Sequence, residues 1–221
     1  DIVAIPPGSI DGYVANGFLM SLEPFIAKEG GQAYKDQFLE VAQEGVTVDG
    51  QWYGVPTWGG IHALYYNTEL FAQRGLKPPT TWTEFLAAAK ELTSPPVYGY
   101  GMYGWRNEVS IRELYPWLWS NGTQLFTDDM SKALFDSPEG IEAFTFFVEL
   151  ATVHRVVPPG VTAADYNSVS TMFANGQLAM YQNAQWGRSK ALNDNPAIEG
   201  KFAVVPIPPP EGKQPVAVYV D

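Results

Sequence analysis

Residues 51–74, QWYGVPTWGGIHALYYNTELFAQR, change hydrophobic period within a single stretch, and few architectures allow that. Aromatic and β-branched residues at 52–55 read as a strand, 56–60 as a glycine-rich turn and 61–66 as a second strand. Asn67-Thr68-Glu69 then opens a helix, because strand formers give way there to helix formers behind a capping side chain. Strand, turn, strand and helix in that order belong to an α/β fold, with Trp58 at an edge. Asp49-Gly50, just upstream, is a strong two-residue hairpin signal because both central positions favour positive φ.

Read from the start, residues 1–5 have the pattern of a buried strand, and Pro6-Pro7-Gly8-Ser9 of the turn at its carboxyl end. Ligands in open α/β sheets lie beyond such ends, so Gly8 and Ser9 are candidate cleft residues; an ordinary βα turn fits equally well. The spacing of Tyr34, Phe38, Val41 and Ala42 predicts a helix over 34–44. Thr81 with Glu84 forms a capping box opening a helix over 82–92, Pro95-Pro96 breaks it, and 97–102 resume as a strand. Gly99-x-Gly101-x-x-Gly104 matches the dinucleotide-binding fingerprint literally. Bulky Tyr100, Met102 and Tyr103 fill that loop, however, and the downstream acids Asp128 and Asp129 fall in a turn, so these glycines read as steric relief.

A helix over 111–120 stops at Asn121-Gly122, which with Thr123 is also a formal glycosylation sequon. Ser137 and Pro138 cap the next helix, to about Val153, whose Ile141, Phe144, Val148 and Ala151 form an apolar stripe expected to be core. A helix over 168–174, a strand over 178–181, a last helix after Gly187 and a strand within 202–208 complete the alternation. The chain opens without Met or a signal peptide, and it begins and ends on strand-like residues (1–5 and 216–220), which suggests a fragment.

Composition removes several classes of function. Thirteen Lys and Arg face 24 Asp and Glu, a net charge of −11, which argues against nucleic acid and anionic membranes as partners. No run of about 18 apolar residues is present to span a bilayer. Without cysteine there is no disulfide, thiol nucleophile or thiolate metal site. Nucleophile-elbow, zincin and phosphate-loop motifs are missing, and the two histidines, His62 and His154, lack a ligand spacing. No cofactor and no metal is expected.

YGVP at 53–56, YYNTELF at 65–71, RGLKPPTTWTEFLAAAKEL at 74–92, MFANGQLAMYQNAQW at 172–186 and FAVVPIP at 202–208 run in one register along the whole chain. Together they resemble the extracellular solute-binding proteins of sugar ABC importers, the family of the maltose-binding protein. The resemblance implies an α/β, two-lobed, periplasmic-binding-protein-like fold truncated at both ends: part of the first lobe over 1–62, most of the second over 63–214 and a returning hinge strand over 215–221. It also implies a non-catalytic role, capturing a carbohydrate between lobes and delivering it to membrane permease subunits. The location implied is periplasmic or extracellular, with a lipid anchor ahead of Asp1 as one means of retention.

Aromatic residues make up 14% of the chain, and pyranose rings present apolar C–H faces that stack on such side chains while polar groups read their hydroxyls. Most aromatics are core by default. Trp58, Trp105, Arg112 and Trp186 escape that default because they fall at turns or element ends. By resemblance Trp186 matches the family's cleft aromatic, Gly8 and Ser9 its first-lobe loop, Arg112 and Glu113 the positions of ligand-stacking aromatics, and Tyr65 the hinge. Two other readings compete: a glycoside hydrolase using paired carboxylates, and a ferric-ion carrier using Tyr65 or Tyr66, as in iron-binding relatives.

Overall fold

The computed structural model describes residues 2–57, 59–106, 108–127, 129–217 and 219–220. Trp58, expected in the ligand set, lies outside the described residues, as does Asp128. The chain divides into two units, Asp1–Gly60 with Tyr219–Asp221, and Ile61–Val218.

The first unit is built from short pieces. A 3-10 turn, Pro7–Ser9, leads into α1 (Ile10–Ala15); α2 (Glu23–Ile26), α3 (Gln32–Lys35) and α4 (Glu40–Glu44) follow. The hairpin forms as expected: β1 (Thr47–Val48) pairs with β2 (Gln51–Trp52), and Asp49 and Gly50 take φ of 49° and 75°. Ile10, Ile26, Val46 and Trp52 are its buried centre, with Phe38 edge-on to Trp52 at 5.6 Å. Glu23 ties three elements together, accepting from Lys35 Nζ at 2.6 Å and from the Trp52 amide at 2.9 Å. Two expectations fail here. Residues 2–6 form no strand and Ile2 and Val3 are exposed, because β-formers gain ladder bonds only from a paired neighbour. The helix expected over 34–44 is broken between Lys35 and Glu40, leaving Val41 exposed.

The chain crosses between units at β3 (Gly60–Ile61) and β8 (Tyr219–Val220). In the second unit β4 (Ala63–Asn67), β5 (Tyr98–Gly101), β6 (Leu178–Asn183) and β7 (Phe202–Val205) form one sheet in the order β5-β6-β4-β7. β5 and β6 are parallel, and β4 runs antiparallel to both β6 and β7. Every residue of β6 is buried, as befits a central strand covered on both faces.

α6 (Trp82–Leu92), α7 (Glu108–Ser120) and α8 (Pro138–Thr152) cover one face, where Leu64, Phe85, Tyr100, Trp117, Phe147, Leu150 and Met180 pack together. α9 (Tyr166–Ala174) and α10 (Trp186–Asp194) cover the other, over Tyr65, Phe173, Leu178, Tyr181 and Ala191. α5 (Thr68–Gln73) follows β4 directly, its first amides capped by Asn67 Oδ1.

Capping chemistry sets the boundaries, with two differences from the expected pattern. Thr81 Oγ1 accepts from the Glu84 amide, but the Glu84 carboxylate returns to Thr80, its amide and hydroxyl, and not to Thr81. α9 begins two residues earlier than expected because Asp165 and Ser168 form a full capping box. On α8 the first half of the expected core stripe is turned outward: Ala143, Phe147 and Leu150 are buried while Ile141 and Phe144 are exposed, and Val148 and Ala151 are half-buried. The sequon is also spent structurally. Asn121 is 1% exposed, and its Nδ2 donates to Glu139 O and Glu142 Oε2.

The three fingerprint glycines are each required by packing. A Cβ on Gly99 would overlap the backbone of Ala89 in α6, one on Gly101 the Leu178 side chain, and one on Gly104 the Val161 carbonyl. Gly99→Ala should therefore cost about 1–3 kcal/mol, since backbone atoms cannot swing aside as a side chain can. Urea denaturation checks this; an unchanged midpoint would mean that α6 does not approach β5 this closely.

Candidate functional site

Because β5, β6 and β7 point the same way and β4 the other, the residues just past the first three and just before the fourth share one end of the sheet. In mixed and parallel α/β sheets this carboxyl end is where ligands bind. Four short hydrogen bonds and one ring contact join the residues found there. Tyr65 Oη donates to Ala184 O at 2.7 Å, Tyr103 Oη to Gln182 O at 2.8 Å and the Tyr103 amide to Glu113 Oε2 at 2.8 Å. Gln182 Nε2 lies 2.7 Å from His62 Nδ1; with the amide as donor, the imidazole carries its own proton on Nε2. The His62 ring meets Trp186 edge-on, centroids 6.5 Å apart.

Trp186 is half-buried and opens α10. Trp105 is 53% exposed in the loop after β5, its amide donating to Ala164 O. Arg112 is half-buried on α7. Those three lie in the second unit together with the network; Gly8, exposed, and Ser9, half-buried, belong to the 3-10 turn of the first unit.

Two candidates are interior residues. Tyr65 is 3% exposed, wedged among Phe173, Tyr181 and Phe202, and burial raises its pKa. It does not present a ring to a ligand, because three aromatic neighbours surround it and its hydroxyl donates to Ala184 O. Tyr66 packs on Phe71. Glu113 is fully buried, accepting from Tyr100 Oη at 2.7 Å as well as from Tyr103, and burial pushes its pKa up to about 8. A charged residue at an expected stacking position thus turned inward and took partners from β5 and its loop.

Sequence reasoning passed over Gln182 and Asn183 and treated His62 as structural. The signal was available: a strand, LAMYQN, closed by two amides at its carboxyl end. Gln182 is fully buried, and its Oε1 has no hydrogen-bond partner among the described residues. A shallow apolar hollow of about 230 Å³ lies beside β5, lined by Gly101, Val157, Pro159, Val161, Val169 and Met172 among others. Ser168 is the one polar side chain among its lining residues, too few groups to read a hydroxyl-rich molecule.

Aromatic rings at the edge of exposure, beside amides and an imidazole, can stack on and hydrogen-bond a small polar molecule, and the one buried carboxyl among them is engaged by two protein donors. The chain belongs to the bacterial extracellular solute-binding protein family, which matches it over residues 1–221. Members of that family are binding proteins, and the family-level resemblance carried by residues 53–92 and 172–186 is confirmed.

Among solved structures, a Thermotoga lettingae ABC transporter solute-binding protein bound with α-D-tagatose superposes with a TM-score of 0.87 at 31% identity, covering 96% of this chain and 54% of that one. Maltose-bound MalE3 of T. maritima gives 0.83 at 28%, covering 97% and 53%. The maltotriose-binding protein of Pyrococcus abyssi is 25% identical over 218 residues, 94% of this chain and 44% of its own length. The chain spans about half the length of the relatives it matches. Among the described residues no helix is long and apolar enough to cross a membrane.

Proposed function

We propose that the protein captures a small carbohydrate or polyol at the carboxyl end of the β5-β6-β4-β7 sheet and passes it unaltered to the membrane subunits of an ABC importer. The observation that carries this reading is Trp186, half-buried at the start of α10 beside the His62–Gln182 pair. Its indole offers a stacking face, and Gln182 Oε1 is an acceptor that a ligand hydroxyl would satisfy. The sugars held by the Thermotoga relatives support the ligand class. Neither alternative is favoured. Hydrolysis would need a second carboxylate facing an accessible first, and Glu113 is sealed; iron ligation would need a phenolate, and burial drives Tyr65 the other way.

Trp186→Ala tests the reading by calorimetric titration with D-tagatose and maltose. Stacking worth about 1–3 kcal/mol, taking base–aromatic stacking as a guide, corresponds to roughly ten- to a hundredfold weaker binding. Folding stability should change by less than about 1.5 kcal/mol, because a half-exposed ring leaves no sealed cavity, and sugar recovered from the wild-type titration should be chemically unchanged. A loss of several kcal/mol in stability with affinity intact would make Trp186 a packing residue and remove the main support for the site.

A further inference from the structure

Glu113 is the only fully buried carboxyl among the described residues, and it holds two partners at the carboxyl end of β5. Tyr100 belongs to β5 and Tyr103 to the loop that continues to Trp105; Tyr103 in turn is bonded through its hydroxyl to Gln182 O at the end of β6. One carboxyl on α7 therefore fixes the backbone of the loop that carries Trp105 and borders Gln182.

We propose that Glu113 is a positioning residue for the ligand end of the sheet: neutral, it holds the 102–105 loop against α7, and its ionisation loosens that hold. The proposal rests on the reading that this end binds the ligand. Its chemistry follows from what surrounds the carboxyl. The groups acting on it are the Tyr100 and Tyr103 donors, with Tyr181 of β6 acting on Tyr103 beyond them, all three of them phenols that burial keeps protonated; the Tyr166 phenol of α9 also acts on Tyr103. None supplies a positive charge to balance a carboxylate. A neutral carboxyl accepts from the Tyr103 amide through its carbonyl oxygen and shares its own proton with Tyr100, which can accept as well as donate. An anion there lacks a counter-charge and gains from drawing in water, which displaces the loop.

Two measurements on the intact protein and on Glu113→Gln decide it. The amide resonance of Tyr103 should titrate with a midpoint near pH 8, where Glu113 ionises, and should be flat in Glu113→Gln, which is isosteric and permanently neutral. Affinity for D-tagatose or maltose should fall about tenfold, or about 1.4 kcal/mol, as pH rises through the same range in wild type only. A Tyr103 resonance that does not titrate, or that titrates equally in the variant, overturns the proposal. So does an affinity profile shared by both proteins, since a merely stabilising Glu113 would leave binding by the folded protein unchanged with pH. Failure of both sugars to bind while Tyr103 titrates as expected counts against the carbohydrate reading and supports Glu113 as the clamp on the loop.

Discussion

Between about pH 5 and about pH 8 the protein should lose about 4 kcal/mol of unfolding free energy through Glu113 alone. Burial moves this carboxyl from its ordinary 4.5 to about 8, so across that window the folded chain keeps a proton that the unfolded chain has released. Stability then falls as pH rises: the contribution is complete below 4.5 and is lost as pH climbs through 8. The carboxylates held low by hydrogen bonds, Glu23, Glu84 and Asp129, carry the opposite sign, and their windows lie below this one. Urea midpoints for wild type and Glu113→Gln at several pH values isolate the effect, because the variant removes this slope and leaves all others. Parallel slopes would show that Glu113 is hydrated and charged in the folded protein.

Trp117→Ala should cost about 3–5 kcal/mol, the range for emptying a large aromatic site in a core that cannot collapse around it. Trp117 is fully buried and its ring lies within 6.3 Å, centroid to centroid, of Trp82, Phe85, Tyr100, Phe146 and Phe147. Three helices and a strand share it, so no single neighbour can move into the gap. Against a net stability of about 5–15 kcal/mol for a typical domain, that loss should be plain in a thermal melt. Trp105→Ala is the control: its ring is 53% exposed, and the melt should hardly move. Similar losses from both substitutions would show that the aromatic cluster is not the keystone of the second unit.

What could be read from the sequence was what local chemistry decides. Asp49-Gly50 gave the hairpin, Thr81 gave α6 to the residue, and Ser137-Pro138 gave the start of α8. The misreadings came where two answers share one local pattern. α8 carries two apolar rows, and only the sheet beneath it selects Ala143, Phe147 and Leu150 over Ile141 and Phe144. Residues 2–6 have strand composition without a paired strand. Among the candidate site residues, Trp186 was legible as an element-end residue because it follows a strand end, and it lies half-buried at the start of α10, whereas Tyr65 and Glu113 were placed by position in a motif and turned out to be interior. Burial depends on what arrives from distant parts of the chain: Phe173 and Phe202 for Tyr65, Tyr100 and Tyr103 for Glu113.

β4 enters the sheet against the direction of the other three strands, and that reversal limits how the gene can vary. Leu64 and Tyr65 face different cores, and His62, two residues upstream of Leu64, meets the Gln182 amide only in the present register. Adding or deleting one codon within 61–67 would exchange the residues facing the two cores and carry the imidazole out of reach in the same event. Length should therefore be held constant through this crossing across descendants of the gene, while insertions and deletions accumulate in exposed turns such as Glu211-Gly212, where no strand register has to be kept.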